Sequence, residues 1–152
     1  MSGAGAPPAA ARPGPAAPPG PARRAAAALP WFLPALAYAG LIFWLSHQPN
    51  PLPSLTARVS DKLLHAAEYA GLAGLLALGL VRLGGVARRR ALVLCVALAA
   101  AYGATDELHQ AFVPNRDASL LDWASDSLGA LVGGILAVRF LRRRDPEGSI
   151  RA

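Results

Sequence analysis

The chain has 152 residues, of which 54% are hydrophobic and only 16% are charged, and its mean hydropathy is +0.36. This length allows one small domain, and the charged fraction is well below the quarter that is typical of soluble domains. The single cysteine, Cys95, excludes a disulfide scaffold. A net charge of +6 would by itself suggest a nucleic-acid partner, but the positions of the charges, described below, argue against one.

Residues 1–29 consist almost entirely of Ala, Pro, Gly and Arg. Such a segment has hardly any large apolar side chains to offset the entropy lost when a chain becomes ordered. We therefore predict a disordered, low-complexity tail. A signal peptide is disfavoured, because no clear small-x-small cleavage site follows the first apolar run.

Four apolar segments follow this tail, at about residues 30–46, 61–83, 91–113 and 120–141. Each is about as long as a helix must be to cross a hydrocarbon core of about 30 Å. A soluble helical bundle would need a polar stripe on its water-facing side, whereas residues 92–105 contain no charge. The sequence therefore predicts an all-α, four-helix transmembrane bundle over residues 30–141, followed by a basic tail at 142–152.

Lysine and arginine are distributed unevenly between the two ends of this bundle. Twelve of the 15 lie in the N-terminal tail, around the loop between the second and third segments, and near the C-terminus. Only Arg58, Lys62 and Arg116 lie at the other end. Because cytoplasmic loops of membrane proteins are rich in Lys and Arg, we expect both termini to be cytoplasmic. The arginine runs at 88–90 and 142–144 would then lie beside anionic lipid, which explains the basic charge without nucleic acid.

Seven of the nine acidic residues lie at the opposite end from most of the arginines, together with all three histidines, and only Asp145 and Glu147 do not. In the second segment, Asp61, His65 and Glu68 are four and three residues apart, which places them on one helix face. A lone charge at mid-bilayer costs about 2.5–3.5 kcal/mol, so several carboxylates together cannot face lipid. We expect an outward-facing polar pocket, lined by Asp61, Lys62, His65, Tyr69, Asp106, Glu107, His109, Gln110, Arg116, Asp122 and Asp126.

Small residues indicate where helices approach closely. Gly129 and Gly133 form a GxxxG pattern in the fourth segment, which allows another backbone to come near. Gly71 and Gly74 offer a similar surface in the second segment. We therefore expect the fourth segment to pack tightly on a neighbour.

Three stretches of this sequence resemble those of a known family. They are Ser46-His47-Gln48-Pro49, DKLLHAAEYAGL at 61–72, and YGATDELHQAFVPNRDASLLDWASDSLG at 102–129. In combination they resemble the VanZ-like family of small bacterial integral membrane proteins, over about residues 31–141. Glu68 departs from the apolar or aromatic residue that is usual there in the family, so a family role transfers to it least well.

The resemblance implies a multi-pass protein of the bacterial cytoplasmic membrane with a role in the cell envelope. The namesake of the family is linked to resistance to the glycopeptide teicoplanin. We therefore expect the protein to bind or modulate an envelope component. The expected partners are the lipid bilayer and a lipid-linked cell-wall precursor or lipid head group, with Lys62 and Arg116 as the anion contacts.

Three alternatives remain open at this point. In the first, the polar residues form a purely structural network: Arg116 pairs with Asp122 or Asp106, His65 and His109 bridge helices, and Asp122 caps the fourth helix. In the second, the protein is a metal-dependent membrane enzyme that hydrolyses a lipid-linked phosphate. A divalent metal would then use His65 with Glu68, or Asp106 with His109, each pair lying on one helical turn. In the third, the acids and histidines move protons or cations.

Overall fold

A computed structural model of the chain describes residues 29–49, 59–82 and 86–144, together with Gly20 and Ala27. In these ranges the backbone forms four α-helices and no strand: α1 (Leu33–Ser46), α2 (Asp61–Arg82), α3 (Arg88–Gln110) and α4 (Leu120–Arg144). A 3₁₀ turn, Leu29–Trp31, precedes α1. Taken with this turn, all four helices are long and apolar enough to cross a membrane, which confirms the predicted fold class. Most of the predicted N-terminal and C-terminal tails lies outside the described residues.

The ends of α3 and α4 differ slightly from the sequence prediction. α3 ends at Gln110, whereas Pro114 was expected to stop it at Val113, because the chain already turns before the proline. Asn115 completes this turn with a φ of 62°, in the left-handed region that Asn adopts more readily than most residues. Ser119 caps α4, since its Oγ accepts a hydrogen bond from the Asp122 backbone N–H at 3.3 Å. The prediction that Asp122 itself is the cap is therefore wrong.

α2 and α4 pack against each other more extensively than any other pair of described helices. A Cβ placed on Gly129 would overlap the backbone of Ala66, and one on Gly133 would overlap that of Ala70. The GxxxG surface of α4 therefore lies directly on another backbone, as predicted, and the structure identifies that neighbour as α2. Gly71 also lies at a contact, where a Cβ would come within 2.7 Å of the Tyr38 hydroxyl of α1.

The interior of the bundle is built from small and medium apolar side chains, whereas many large ones point outward. Ala73, Ala77 and Ala99 are fully buried. Leu36, Leu63, Val93 and Leu128, one from each of the four helices, are all about 60% exposed. An apolar surface that surrounds the bundle is expected when the surrounding solvent is lipid.

The antiparallel order of the helices gives the bundle two chemically different ends. What we call the polar end contains the C-terminal ends of α1 and α3 and the N-terminal ends of α2 and α4. What we call the basic end contains the opposite ends of the same helices. There the Arg82 guanidinium lies 6.0 Å from the Trp31 ring, a distance at which a cation–π interaction stabilises the contact. The candidate site residues all lie at the polar end.

Candidate functional site

Two clusters of polar side chains occupy the polar end. The Ser46 cluster joins α1 to α3 and consists of Ser46, His47, Asp106, His109 and Gln110. The His65 cluster joins α2, α3 and α4 and consists of Asp61, Lys62, His65, Glu107, Asp122 and Asp126. Both clusters contain a buried carboxylate from α3.

The Ser46 cluster is organised around one carboxylate oxygen. Ser46 Oγ donates a hydrogen bond to Asp106 Oδ2 at 2.7 Å, and Gln110 Nε2 donates to the same oxygen at 3.0 Å. All three side chains are buried. Nearby, His47 Nδ1 and His109 Nε2 are 3.3 Å apart, so one imidazole donates to the other. These contacts attach α1 to α3.

The His65 cluster contains more hydrogen-bond acceptors and fewer donors than the Ser46 cluster. His65 Nδ1 lies 3.1 Å from Asp126 Oδ1, and His65 Nε2 lies 3.9 Å from Asp61 Oδ2. Glu107 approaches from α3, so that one ligand atom each of His65, Glu107 and Asp126 lies within 4.8 Å of the other two. Their side chains are nearly inaccessible, with exposed fractions of 6%, 7% and 0%.

The helical repeat explains why adjacent carboxylates of α3 belong to different clusters. Consecutive residues of an α-helix point about 100° apart around its axis. Asp106 therefore faces Ser46 on α1, while Glu107 faces α2 and α4. Glu107 also holds the start of α4, because its Oε2 accepts a hydrogen bond from the Ser119 backbone N–H at 2.6 Å.

The two basic residues at this end make different contacts. Lys62 forms an ion pair with Asp122, and its side chain is 45% exposed. Arg116 is half-buried, and its Nε donates to the Gln48 carbonyl at 3.2 Å. The expected pairing of Arg116 with Asp122 or Asp106 is not found among the described residues, because Lys62 pairs with Asp122.

Several buried polar atoms in the two clusters and at the neighbouring Tyr69 lack a hydrogen-bond partner among the described residues. They are Asp106 Oδ1, Glu107 Oε1, Asp126 Oδ2 and the Tyr69 hydroxyl. Tyr69 and Asp126 both pack on Gly103, where an added Cβ would lie 3.1 Å from Asp126 Oδ2. An unsatisfied buried group costs about 1–3 kcal/mol. Such groups are rare in native structures, and each calls for an explanation such as a catalytic role or a bound ion.

A cavity of about 340 Å³ opens beside Glu107, between the C-terminal part of α3 and the start of α4. Its walls are mostly apolar, and Trp123 is fixed there because its indole N–H donates to the Ala100 carbonyl at 2.9 Å. The lining residues are Ala104, Glu107, Ala118, Ser119, Leu120 and Trp123. A polar wall next to an apolar one suits an amphiphilic molecule.

The structure groups the predicted metal candidates differently from the one-turn pairs expected from the sequence. Among the described residues, the sets that could hold a metal are His65 with Glu107 and Asp126, and His65 with Asp61 and Asp122. Of the predicted candidates His65, Glu68, Asp106 and His109, only His65 belongs to either set. The partners come from neighbouring helices, which spacing within one helix cannot reveal.

Sequence reasoning missed Ser46 and Ser119 as members of the polar end. Ser46 is part of the Ser-His-Gln-Pro motif, and its position at the end of an apolar segment was a usable signal. Ser119 precedes a helix with a carboxylate three residues later, which is the pattern of a helix cap.

A family model described as VanZ/LLP1 matches residues 31–142, a range that contains both clusters and all four helices except the last two residues of α4. The chain belongs to the VanZ-like family. With four spans it is a multi-pass membrane protein of the VanZ type. No curated protein and no solved structure gives a significant match to it.

Proposed function

We propose that this VanZ-like protein binds the polar head group of a lipid-like component of the cell envelope, such as a lipid-linked cell-wall precursor, at its polar end. The observation that carries the proposal is that three buried carboxylates each keep one oxygen without a partner among the described residues. A network that served only to hold the helices together would be expected to satisfy these oxygens.

The chemistry of the polar end favours a head group that carries both hydrogen-bond donors and negative charge. The unpartnered oxygens of Asp106, Glu107 and Asp126 accept from hydroxyl, amide or ammonium groups. Lys62 and Arg116 are the nearby cations, and they suit a phosphate. The apolar wall of the cavity beside Glu107 takes the first part of the lipid chain.

The proposal includes an orientation, in which the polar end faces away from the cytoplasm and both termini lie inside a bacterial cytoplasmic membrane. It is supported by the excess of arginine at the basic end. An impermeant maleimide should label Ala111→Cys in intact cells, because Ala111 is exposed at the polar end. It should not label Arg89→Cys, which is exposed at the basic end. The reverse result would invert the topology.

The proposal is tested with three substitutions of polar-end residues: Asp106→Asn, Arg116→Gln and Asp126→Asn. Each should abolish binding of a polyprenyl phosphate, or of phosphatidylglycerol, as followed by native mass spectrometry in mild detergent. The matched control is Asp117→Asn, which removes an exposed acid next to Arg116 in the loop between α3 and α4. Size-exclusion chromatography should show equal amounts of folded protein for all four variants.

In cells, the same variants should remove any teicoplanin tolerance that the wild-type protein confers, while the control keeps it. This readout follows from the family to which the chain belongs. Unchanged lipid binding in all three variants would refute the proposal.

A structural role for the network is the second candidate, and one observation favours it. Ser46 and Gln110 both donate to Asp106, which ties α1 to α3 without any ligand. Under this alternative the substitutions would reduce the amount of folded protein in proportion to any loss of function. The chromatography above therefore separates the two candidates.

A further inference from the structure

We propose that His65, Glu107 and Asp126 form a binding site for a divalent metal ion. This inference rests on the proposed function in one respect, since the ion would bridge the acidic pocket and the phosphate of the head group. The site is distinct from the one-turn pairs suggested by the sequence, because each ligand comes from a different helix.

The geometry is close to that of a metal site. Two ligands about 2.1 Å from a tetrahedral ion lie about 3.4 Å apart. His65 Nδ1 and Asp126 Oδ1 are already 3.1 Å apart. The ligand atoms of the whole set lie within 4.8 Å of one another, so the longest separation must shorten by at most about 1.4 Å, which side-chain rotation supplies.

A second, independent observation points to an ion at this place. Glu107 Oε1 and Asp126 Oδ2 are buried and have no hydrogen-bond partner among the described residues. The two side chains are 93% or more buried, with exposed fractions of 7% and 0%. Two carboxylates this close and this shielded repel each other, and a divalent cation held between them would remove that repulsion.

The surroundings also match those of a metal centre. A histidine that binds a metal usually donates its other ring N–H to a carboxylate. The Asp61 carboxylate lies 3.9 Å from His65 Nε2, which is longer than a hydrogen bond, so Asp61 would have to move about 1 Å closer to take this role. One nitrogen and two carboxylate oxygens are ligands that suit Zn²⁺ or Mn²⁺. Three protein ligands leave a position open for an oxygen of the bound molecule. Glu107 also lines the 340 Å³ cavity, which places that position beside the lipid site.

The ion resolves an electrostatic difficulty of the proposed function. The polar end contains seven acids and three cations by sequence, so a phosphate would be repelled from much of it. With neutral His65, the three ligands carry a charge of about −2, and a divalent ion neutralises them. The phosphate then meets a bound cation rather than bare carboxylates.

The test uses the full-length protein in mild detergent, treated with a chelator and then dialysed against Zn²⁺ or Mn²⁺ alone. Mass spectrometry of the metal content should give about one ion per chain for the wild type. His65→Gln, Glu107→Gln and Asp126→Asn should each weaken binding about tenfold or more. Asp106→Asn is the matched control, because it removes a buried carboxylate from the adjacent position of α3 and should bind the ion normally.

Thermal unfolding keeps the test decisive if one variant folds poorly. The ion should raise the Tm of the wild type and of the Asp106→Asn variant, and leave the Tm of the Asp126→Asn variant unchanged. Failure of the wild type to bind either ion would overturn the site and leave a His65–Asp126 ion pair in its place. Equal binding by the three ligand variants would overturn it as well.

Lipid binding measured with and without a chelator distinguishes this inference from the proposed function. Polyprenyl phosphate binding by the wild type should fall about tenfold or more when a chelator is present. Lipid binding that is unaffected by the chelator would overturn the bridging role and leave the proposed function standing. Ion binding that all three ligand variants lose, without any lipid binding, would support the metal site and count against the proposed function.

Discussion

The Ser46 cluster and the His65 cluster lie at the same end of the bundle. Each contains one carboxylate of α3, Asp106 in the Ser46 cluster and the adjacent Glu107 in the His65 cluster. In the Ser46 cluster the neighbours of that carboxylate are a hydroxyl and an amide, which donate hydrogen bonds to it. In the His65 cluster, Glu107 accepts one hydrogen bond from the Ser119 backbone N–H, and its side-chain neighbours are an imidazole and a second carboxylate. The first therefore supplies most of its own partners, whereas the second keeps an excess of acceptors.

This difference shows that the number of donors around a buried carboxylate indicates whether the carboxylate holds helices together or binds a ligand. A buried carboxylate with donors around it stabilises the contact between two helices. Buried carboxylates without enough donors destabilise the unliganded protein, and they persist where a bound molecule or ion supplies what is missing. The two clusters should therefore respond to mutation in opposite directions.

The largest effect is expected when the contact between α2 and α4, the two helices that hold most of the His65 cluster, is disrupted. Gly129→Leu places a side chain against the Ala66 backbone, so α2 and α4 must separate. We expect a loss of stability above about 3 kcal/mol, the upper end of ordinary overpacking, and little folded protein in size-exclusion chromatography. Gly40→Leu is the control, since nothing lies within 4 Å of a Cβ there. Normal yield of the Gly129→Leu variant would contradict the observed helix contact.

The next effect concerns the Ser46 cluster. Ser46→Ala removes the hydroxyl that donates to Asp106 Oδ2, and a hydrogen bond to a charged group contributes about 1.5–3 kcal/mol. We expect a lower Tm in thermal unfolding, with lipid binding unchanged. Ser125→Ala is the control, because the Ser125 hydroxyl donates only to the Leu121 carbonyl of its own helix. A loss of lipid binding without a change in Tm would assign Ser46 to the binding site instead.

The opposite sign is expected for Glu107→Gln in the His65 cluster. The amide oxygen can still accept from the Ser119 N–H, and the new NH₂ group can donate to the Asp126 carboxylate. Without ligand or metal, the variant should be more stable than the wild type by about 1 kcal/mol, as measured by chemical unfolding. The matched change Asp106→Asn should not stabilise the protein. A clearly destabilised Glu107→Gln variant would mean that the His65 cluster is structural as well.

The smallest effect on stability is expected for Lys62→Met, at the exposed edge of the His65 cluster. The pair with Asp122 is exposed to solvent on the lysine side, where ion pairs contribute little to stability. The Tm should barely change, and what change there is should vanish at high salt, whereas phosphate binding should weaken. A large, salt-independent fall in Tm would show that this pair belongs to the buried part of the cluster.

The sequence was sufficient for the fold and for the end of the bundle at which the polar residues gather. The length of the apolar segments predicted four spans, and the GxxxG pattern predicted the contact that the structure shows at Gly129 and Gly133. Both signals are local, because they depend on chain length and on the size of single residues.

The partners within the site could not be predicted in the same way. Which helix faces Asp106 and which faces Glu107 depends on the rotation of α3 about its axis, and the sequence of α3 does not set that rotation alone. The Lys62–Asp122 pair depends instead on how α2 docks on α4, which the sequence of neither helix sets alone. The partner of Ser46 could not be predicted either, since its hydrogen bond to Asp106 depends on how α1 docks on α3.

The direct backbone contact of α4 on α2 has a consequence for any movement that admits a ligand. Where Gly129 and Gly133 lie on Ala66 and Ala70, no layer of side chains exists that could slide or change rotamer between the two helices. The separation of these two axes is therefore fixed by main-chain atoms, and it sets the spacing of His65 from Asp126. Any opening of the bundle is accordingly expected to displace α1 or α3 rather than to separate α2 from α4.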